Sequence, residues 1–184
     1  MIPSNYLKYI YLFLIILLTG IKTNAQTAIS GPVIKEFGKV YKIEKQDFKI
    51  NTSQDFHVVF DVAKSPEEKD IKNKWIETAA RFLNMHAQNG VSLDNMKVAL
   101  VLHGSAFKDV MSNEAYMKKY GTINPNEKLN TALLKANVQI ILCGQSAVYR
   151  ELKKEDLIPG VQLSLSAMTA LIQLQNQNYR LINF

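Results

Sequence analysis

Cys143 is the only cysteine in 184 residues, and it stands where a reactive thiol is easiest to build. It follows the apolar run Val138-Gln139-Ile140-Ile141-Leu142 and precedes Gly144-Gln145-Ser146, which reads as a strand running into a helix. At such a junction the backbone N–H groups and the helix dipole favour an anion, which lowers a thiol pKa and raises the thiolate fraction. A thiolate can attack a sulfane sulfur and carry it as a persulfide. Cysteine is also among the most buried residue types and often only fills space. Position alone leaves a reactive and a structural Cys143 both open.

His103-Gly104 ends another apolar run, Lys97-Val98-Ala99-Leu100-Val101-Leu102. If the two strands are neighbours, the imidazole can stabilise the thiolate or relay a proton. The competing role is a histidine that caps a strand end through backbone bonds. Gly104 lets the chain turn sharply or approach a ligand. Gln145 and Ser146 can donate hydrogen bonds to a bound anion, although a plain helix cap is the simpler role for Ser146. The candidate site is therefore a catalytic pair, Cys143 and His103, with Gly104, Gly144, Gln145 and Ser146 binding substrate. Ser164, near the end of a further strand, is a weaker candidate. Cysteine-based hydrolysis would need an acid to orient His103, and none is apparent in the sequence.

Other chemistries lack their residues. His57, His86 and His103 show no ligand spacing to one another or to the cysteine, so no metal site is expected. Gly-rich phosphate loops and a G-x-S-x-G elbow are absent, and no cofactor is implied. Glu67-Glu68 is helix-start chemistry.

The elements that must hold these residues alternate. Phe56 to Val62 reads as a strand. Ser65-Pro66, with Glu68 three residues after Ser65, predicts a helix start. Ile71, Trp75, Ala79, Phe82, Leu83 and His86 then recur at helical spacing until Asn89-Gly90. Lys97 to Leu102 is apolar throughout, as in a strand buried on both faces of a parallel sheet. Ser105 to Gly121 reads as short helical turns that cover a pocket or a neighbouring subunit, and Asn124-Pro125 opens a helix to Ala136. Val138 to Leu142 is a strand, Ala147 to Lys154 a helix, and Val161 to Ser164 a strand. Ser166 caps a helix from Ala167 to Gln177, and Tyr179 to Phe184 closes as a strand. The alternation predicts an α/β fold in three layers, α/β/α, with a mainly parallel sheet of about five strands. Ligands in such sheets bind beyond the carboxyl ends of the strands, where both His103 and Cys143 fall.

The N-terminus points outside the cytoplasm. Lys8 precedes the apolar run Tyr9 to Leu18, which is too short for a spanning helix of about 20 residues. With Thr23-Asn24-Ala25 before Gln26, residues 1–25 read as a cleavable secretory signal, the alternative being an uncleaved anchor. Residues 26–55 form an extension, with a short strand expected at Val40 to Ile43, and 56–184 form the domain. The mature protein is expected to be periplasmic or secreted, without stable membrane insertion. The formal charge of +6 falls to +4 once Lys8 and Lys22 leave. The remaining charges are spread out rather than gathered with aromatics, which argues against nucleic acid as a partner. A lone cysteine can form no internal disulfide, so the fold rests on its apolar core.

Val58 to Val62, Val101-Leu102-His103-Gly104, and Asn137 through Cys143-Gly144-Gln145-Ser146 follow one another at a spacing that resembles the DsrE/DsrF-like family, the sulfur-relay fold. Leu157-Ile158-Pro159-Gly160-Val161, Ser166-Ala167 and Leu174 to Tyr179 continue the likeness, and the extension from Gly31 to Val40 resembles that of exported members. The resemblance implies a five-stranded parallel sheet, assembly as a homotrimer or homohexamer, and Cys143 as the sulfur-carrying position. It implies a partner that donates or accepts sulfur, either a protein or a small sulfur compound. The alternative it leaves is an oligomeric binding module in which Cys143 only packs.

Overall fold

The computed structural model describes residues 26–183, so the expected signal segment lies outside the described residues. Five strands form one sheet: β1 Phe56–Val62, β2 Met96–Leu102, β3 Gln139–Cys143, β4 Gln162–Ser164 and β5 Arg180–Ile182. They lie in the order β4-β3-β2-β1-β5, and every pairing is parallel. The helices are α1 Lys74–Gln88, α2 Asn113–Tyr120, α3 Glu127–Lys135, α4 Gly144–Tyr149 and α5 Ala167–Asn176, with a 3-10 turn at Gly104–Val110. This is the predicted three-layer arrangement.

Side chains alternate across a strand, and that parity divides the core in two. Val58, Phe60, Val62, Val98, Leu100, Leu102, Ile140 and Leu142 face a large cluster built with α1, α3 and the 3-10 turn. Val59, Ala99, Val101, Ile141 and Cys143 face a thin cluster formed with Ala167, Ala170, Leu174 and Tyr179. A single helix, α5, supplies most of the second cover. The small residues Ala99, Ala167 and Ala170 let it lie close to the sheet.

The extension packs onto α1 and adds no strand. Val40 makes only an isolated antiparallel bridge to Ile29 in place of the expected strand at Val40 to Ile43. The grip comes from Asn84, buried on α1. Its amide donates to the carbonyls of Ile34, Phe37 and Gly38 at 2.9, 2.9 and 3.1 Å, while its Oδ1 accepts from the N–H of Val33 and Ile34. One side chain thus satisfies five backbone groups of a segment that has no ladder of its own.

Two expected helices are displaced. The first starts at Lys74, not at Ser65-Pro66, and its cap is Asn73, whose Oδ1 accepts from the Trp75 N–H at 3.0 Å. Ser65 is diverted because its hydroxyl donates to Asp109 Oδ1 at 2.8 Å, and Ile71 is left exposed ahead of the helix. A buried carboxylate needs donors more than a helix needs an early start. The second displaced helix, expected from Ala147 to Lys154, begins three residues earlier as Gly144–Tyr149. Cys143 therefore stands at its N-cap position.

Candidate functional site

Parity also decides which polar side chains meet. Asp61 lies two residues after Val59, His103 two after Val101, and Cys143 two after Ile141, all on the face that α5 covers. Leu102 pairs with Leu142 and Val62 with Leu102, so the three residues lie together at the carboxyl ends of the three inner strands. They line one hollow of about 290 Å3 with Gln145 and Ser146 from α4. Ala167, Met168 and Leu171 of α5 form its apolar wall.

Cys143 is 5% exposed, yet it borders this hollow and is not sealed in the core. Burial pushes its thiol pKa up. The N–H and hydroxyl of Ser146 and the N–H groups of Ala167 and Gln145 more than offset that, and the thiol is held below its ordinary value. Hydrogen bonds to the charged form favour that form. Two chain segments, the start of α4 and the start of α5, converge on one sulfur atom. Ser146→Ala removes the hydroxyl but keeps the N–H groups. Half-maximal alkylation of Cys143 is then expected at a higher pH than in the wild type, measured as iodoacetamide labelling against pH.

Asp61 is the acid that the sequence did not disclose. Its Oδ1 lies 2.9 Å from His103 Nε2, and both side chains are partly exposed to the hollow. A carboxylate only accepts hydrogen bonds, so Nε2 carries the proton and Nδ1 is the free position on the ring. The signal was available: Asp61 is the only charged residue in Phe56-His57-Val58-Val59-Phe60-Asp61-Val62, and it shares the parity of Val59.

The glycines position the site. Gly104 has φ +56, and a Cβ there would come within 2.6 Å of the Ala63 carbonyl oxygen. Its N–H donates to Ser146 Oγ at 3.3 Å, tying the end of β2 to α4. A Cβ on Gly144 would stand 2.3 Å from the Ser164 carbonyl oxygen, so only glycine lets α4 begin this close to β4. Gln145 Nε2 donates to the Leu165 carbonyl at 3.3 Å. Ser164 is turned to structure, its hydroxyl donating to the Ser166 carbonyl at 2.9 Å.

The other histidines lie elsewhere. His86 is buried between Phe82 and Phe56, with ring centroids 4.0 and 4.7 Å away, and its Nδ1 bonds to the Phe82 carbonyl. Burial lowers its pKa and that bond only partly offsets the effect. His57 packs against Tyr179. Among the described residues no group of three His, Cys, Asp or Glu side chains is placed to hold a metal ion. No helix among them is long and apolar enough to cross a membrane.

With this geometry in place, the family model for the DsrE/DsrF-like family matches residues 57–184. The chain belongs to the DsrE/DsrF-like family. Two solved structures share the DsrE-like fold with it. One is a protein of unknown function, MTH1491 from Methanobacterium thermoautotrophicum, at 15% identity and a TM-score of 0.54, covering 71% of this chain and 100% of that one. Another is the ychN protein from E. coli, at 18% identity and a TM-score of 0.52, covering 70% of this chain and 99% of that one. No curated protein matches the chain. DsrE membership is consistent with a sulfur-relay fold, and the model's matched region contains Asp61, His103 and Cys143.

Proposed function

We propose that the protein is a sulfur carrier outside the cytoplasm, exported by residues 1–25, that binds sulfane sulfur as a persulfide on Cys143 and passes it on. The observation that carries this reading is a thiol at the start of α4 that borders a hollow also lined by Asp61, His103 and Ser146. The Cys143 thiolate attacks a sulfur of a polysulfide, and the S–S bond breaks with its electron pair leaving on the shorter polysulfide. With thiosulfate the leaving group is sulfite. An acceptor thiolate then attacks the outer sulfur, and the Cys143 thiolate departs. No electrons are gained or lost overall, so neither step needs an external oxidant. His103, oriented by Asp61 through Nε2, can take the thiol proton at Nδ1 and return it to a leaving group that requires one. Polysulfide loading followed by intact mass tests the reading: the wild type gains sulfur and Cys143→Ser does not.

A second reading is favoured by the Asp61–His103 pair itself. A cysteine, a histidine and an orienting carboxylate in one hollow are also the parts of a cysteine hydrolase. Turnover of acyl substrates, lost in both Cys143→Ala and His103→Ala, would support that reading over sulfur transfer.

The outer side of α5 bears on assembly. Met168 is 72% exposed, Ile172 stands one turn further along the same side, and Leu165, just before the helix, is 73% exposed. Exposed apolar side chains of this size mark interaction surfaces. We read this side as the contact between copies in a homotrimer or homohexamer. Light scattering is expected to give a multiple of the chain mass for the wild type and a single-chain mass for Met168→Glu with Ile172→Glu. A monomeric wild type would overturn the assembly.

A further inference from the structure

A second hollow, of about 710 Å3, opens where the loop after β1 meets the 3-10 turn after β2. Its charge is one-sided: Lys64, Lys69, Lys108, Lys119 and Arg150 line it against one carboxylate, Glu67. None of the five makes an ion pair with a carboxylate among the described residues. Three of them, Arg150, Lys69 and Lys108, sit against uncharged partners instead. The Arg150 guanidinium lies 4.9 Å from the Phe107 ring centroid and 5.2 Å from that of Tyr149, and the Lys69 ammonium lies 5.4 Å from the Tyr120 ring. Lys108, only 5% exposed, donates to the carbonyls of Pro66 and Glu68. Burial, and then the neighbouring charge of Lys69, push the Lys108 pKa down against the opposing pull of Asp109 and Glu68.

Five cations gathered about a single lining carboxylate, Glu67, repel one another until a further anion joins them. A carboxylate would bring one charge to this group. A phosphate monoester brings close to two, with three acceptor oxygens that suit the guanidinium fork. The hollow also has more room than a bare phosphate needs and falls in the range of small-molecule sites. Trp75 stands on its wall as a flat, half-buried surface for an organic portion.

We propose that this hollow binds a phosphorylated small molecule, held at the phosphate by Arg150, Lys69 and Lys108 and packed against Trp75. The site is separate from the persulfide reading and stands or falls without it. It is nonetheless close to Cys143, because Ser146 and Arg150 lie four residues apart on α4 and its cap, about 6 Å of helix rise.

Trp75 is the single tryptophan of the sequence, so its fluorescence reports on this wall alone. The full chain is titrated with adenosine 5′-monophosphate, ribose 5-phosphate and inorganic phosphate, with adenosine and ribose as uncharged controls. Calorimetry runs beside the fluorescence. Saturable binding of at least one phosphorylated probe is expected, absent for its control and weakened by added salt. Arg150→Gln and Lys69→Gln, checked for native circular dichroism, are each expected to bind about tenfold more weakly. Cys143→Ser is expected to bind like the wild type. No saturable binding of any of the three probes overturns the proposal. So does binding that ignores both salt and the two substitutions, or binding that is lost in Cys143→Ser.

Discussion

Treated with inorganic polysulfide, the native protein should gain the mass of one or more sulfur atoms, and Cys143→Ser should gain none. The expected loss is complete because Cys143 is the only cysteine in the sequence, so no second thiol can substitute. Serine keeps the size of the side chain, and its hydroxyl can accept from the same N–H groups. A failure to load therefore reports chemistry and not collapse of the hollow. Dithiothreitol should return the loaded wild type to its starting mass, since a thiolate attacking the outer sulfur releases Cys143. If the wild type gains no mass while iodoacetamide still labels Cys143, the persulfide reading fails and the packing role remains.

Asp109→Ala should destabilise the domain by about 4 kcal/mol, a large part of the roughly 5–15 kcal/mol that holds an ordinary domain together. Asp109 is 1% exposed, in the 3-10 turn beyond β2. Its Oδ1 accepts from the Ser65 hydroxyl and the Asn126 amide at 2.8 and 3.0 Å, and its Oδ2 accepts from the Asn73 amide at 2.7 Å. Alanine would leave those donors facing a void. The same change would loosen Asn73, which caps α1, and Asn126, whose Oδ1 accepts from the Asn73 N–H at 2.7 Å. Urea denaturation measures the loss, and a change below about 1 kcal/mol would show that the network carries little.

The same carboxyl gives the stability a pH dependence with a defined sign. Burial raises the Asp109 pKa from 3.8 to about 6, against the opposing pull of Asn73, Ser65 and Lys108. Between those values the folded protein binds more protons at this position than the unfolded chain. Its contribution to stability therefore falls as the pH rises, and above 6 about 3 kcal/mol is lost relative to acid. Wild type and Asp109→Asn compared at about pH 4 and about pH 7 isolate this group, and the wild type should gain on the variant as the pH falls.

How much of this was legible in the sequence depended on whether a feature is local. The apolar runs at Val98 to Leu102 and Ile140 to Leu142 have one reading in an alternating chain, so the parallel sheet followed from them. Cys143, His103 and Ser146 were also readable, because a strand end and a helix start are adjacent in sequence. Asp61 was missed because its meaning comes from its neighbour in space: strand β1 had to be laid beside β2, in register, before Asp61 met His103. The asparagine network was less legible still. Ser65 and Asn73, Asp109, and Asn124 and Asn126 come from three separate segments and carry no periodicity. Its pull on Ser65 moved the first helix start to Lys74, against a local signal that pointed to Ser65-Pro66.

Because one helix roofs the second face, the sulfur atom lies at a seam. The N–H of Ala167 that steadies the thiolate is the residue before Met168, whose side chain reaches outward. A copy of the chain leaning on Met168 and Leu165 would press on the lip of the hollow as well. Assembly and access to the thiol would then be one event, with the reactive atoms along the joints of the particle instead of on its outer wall.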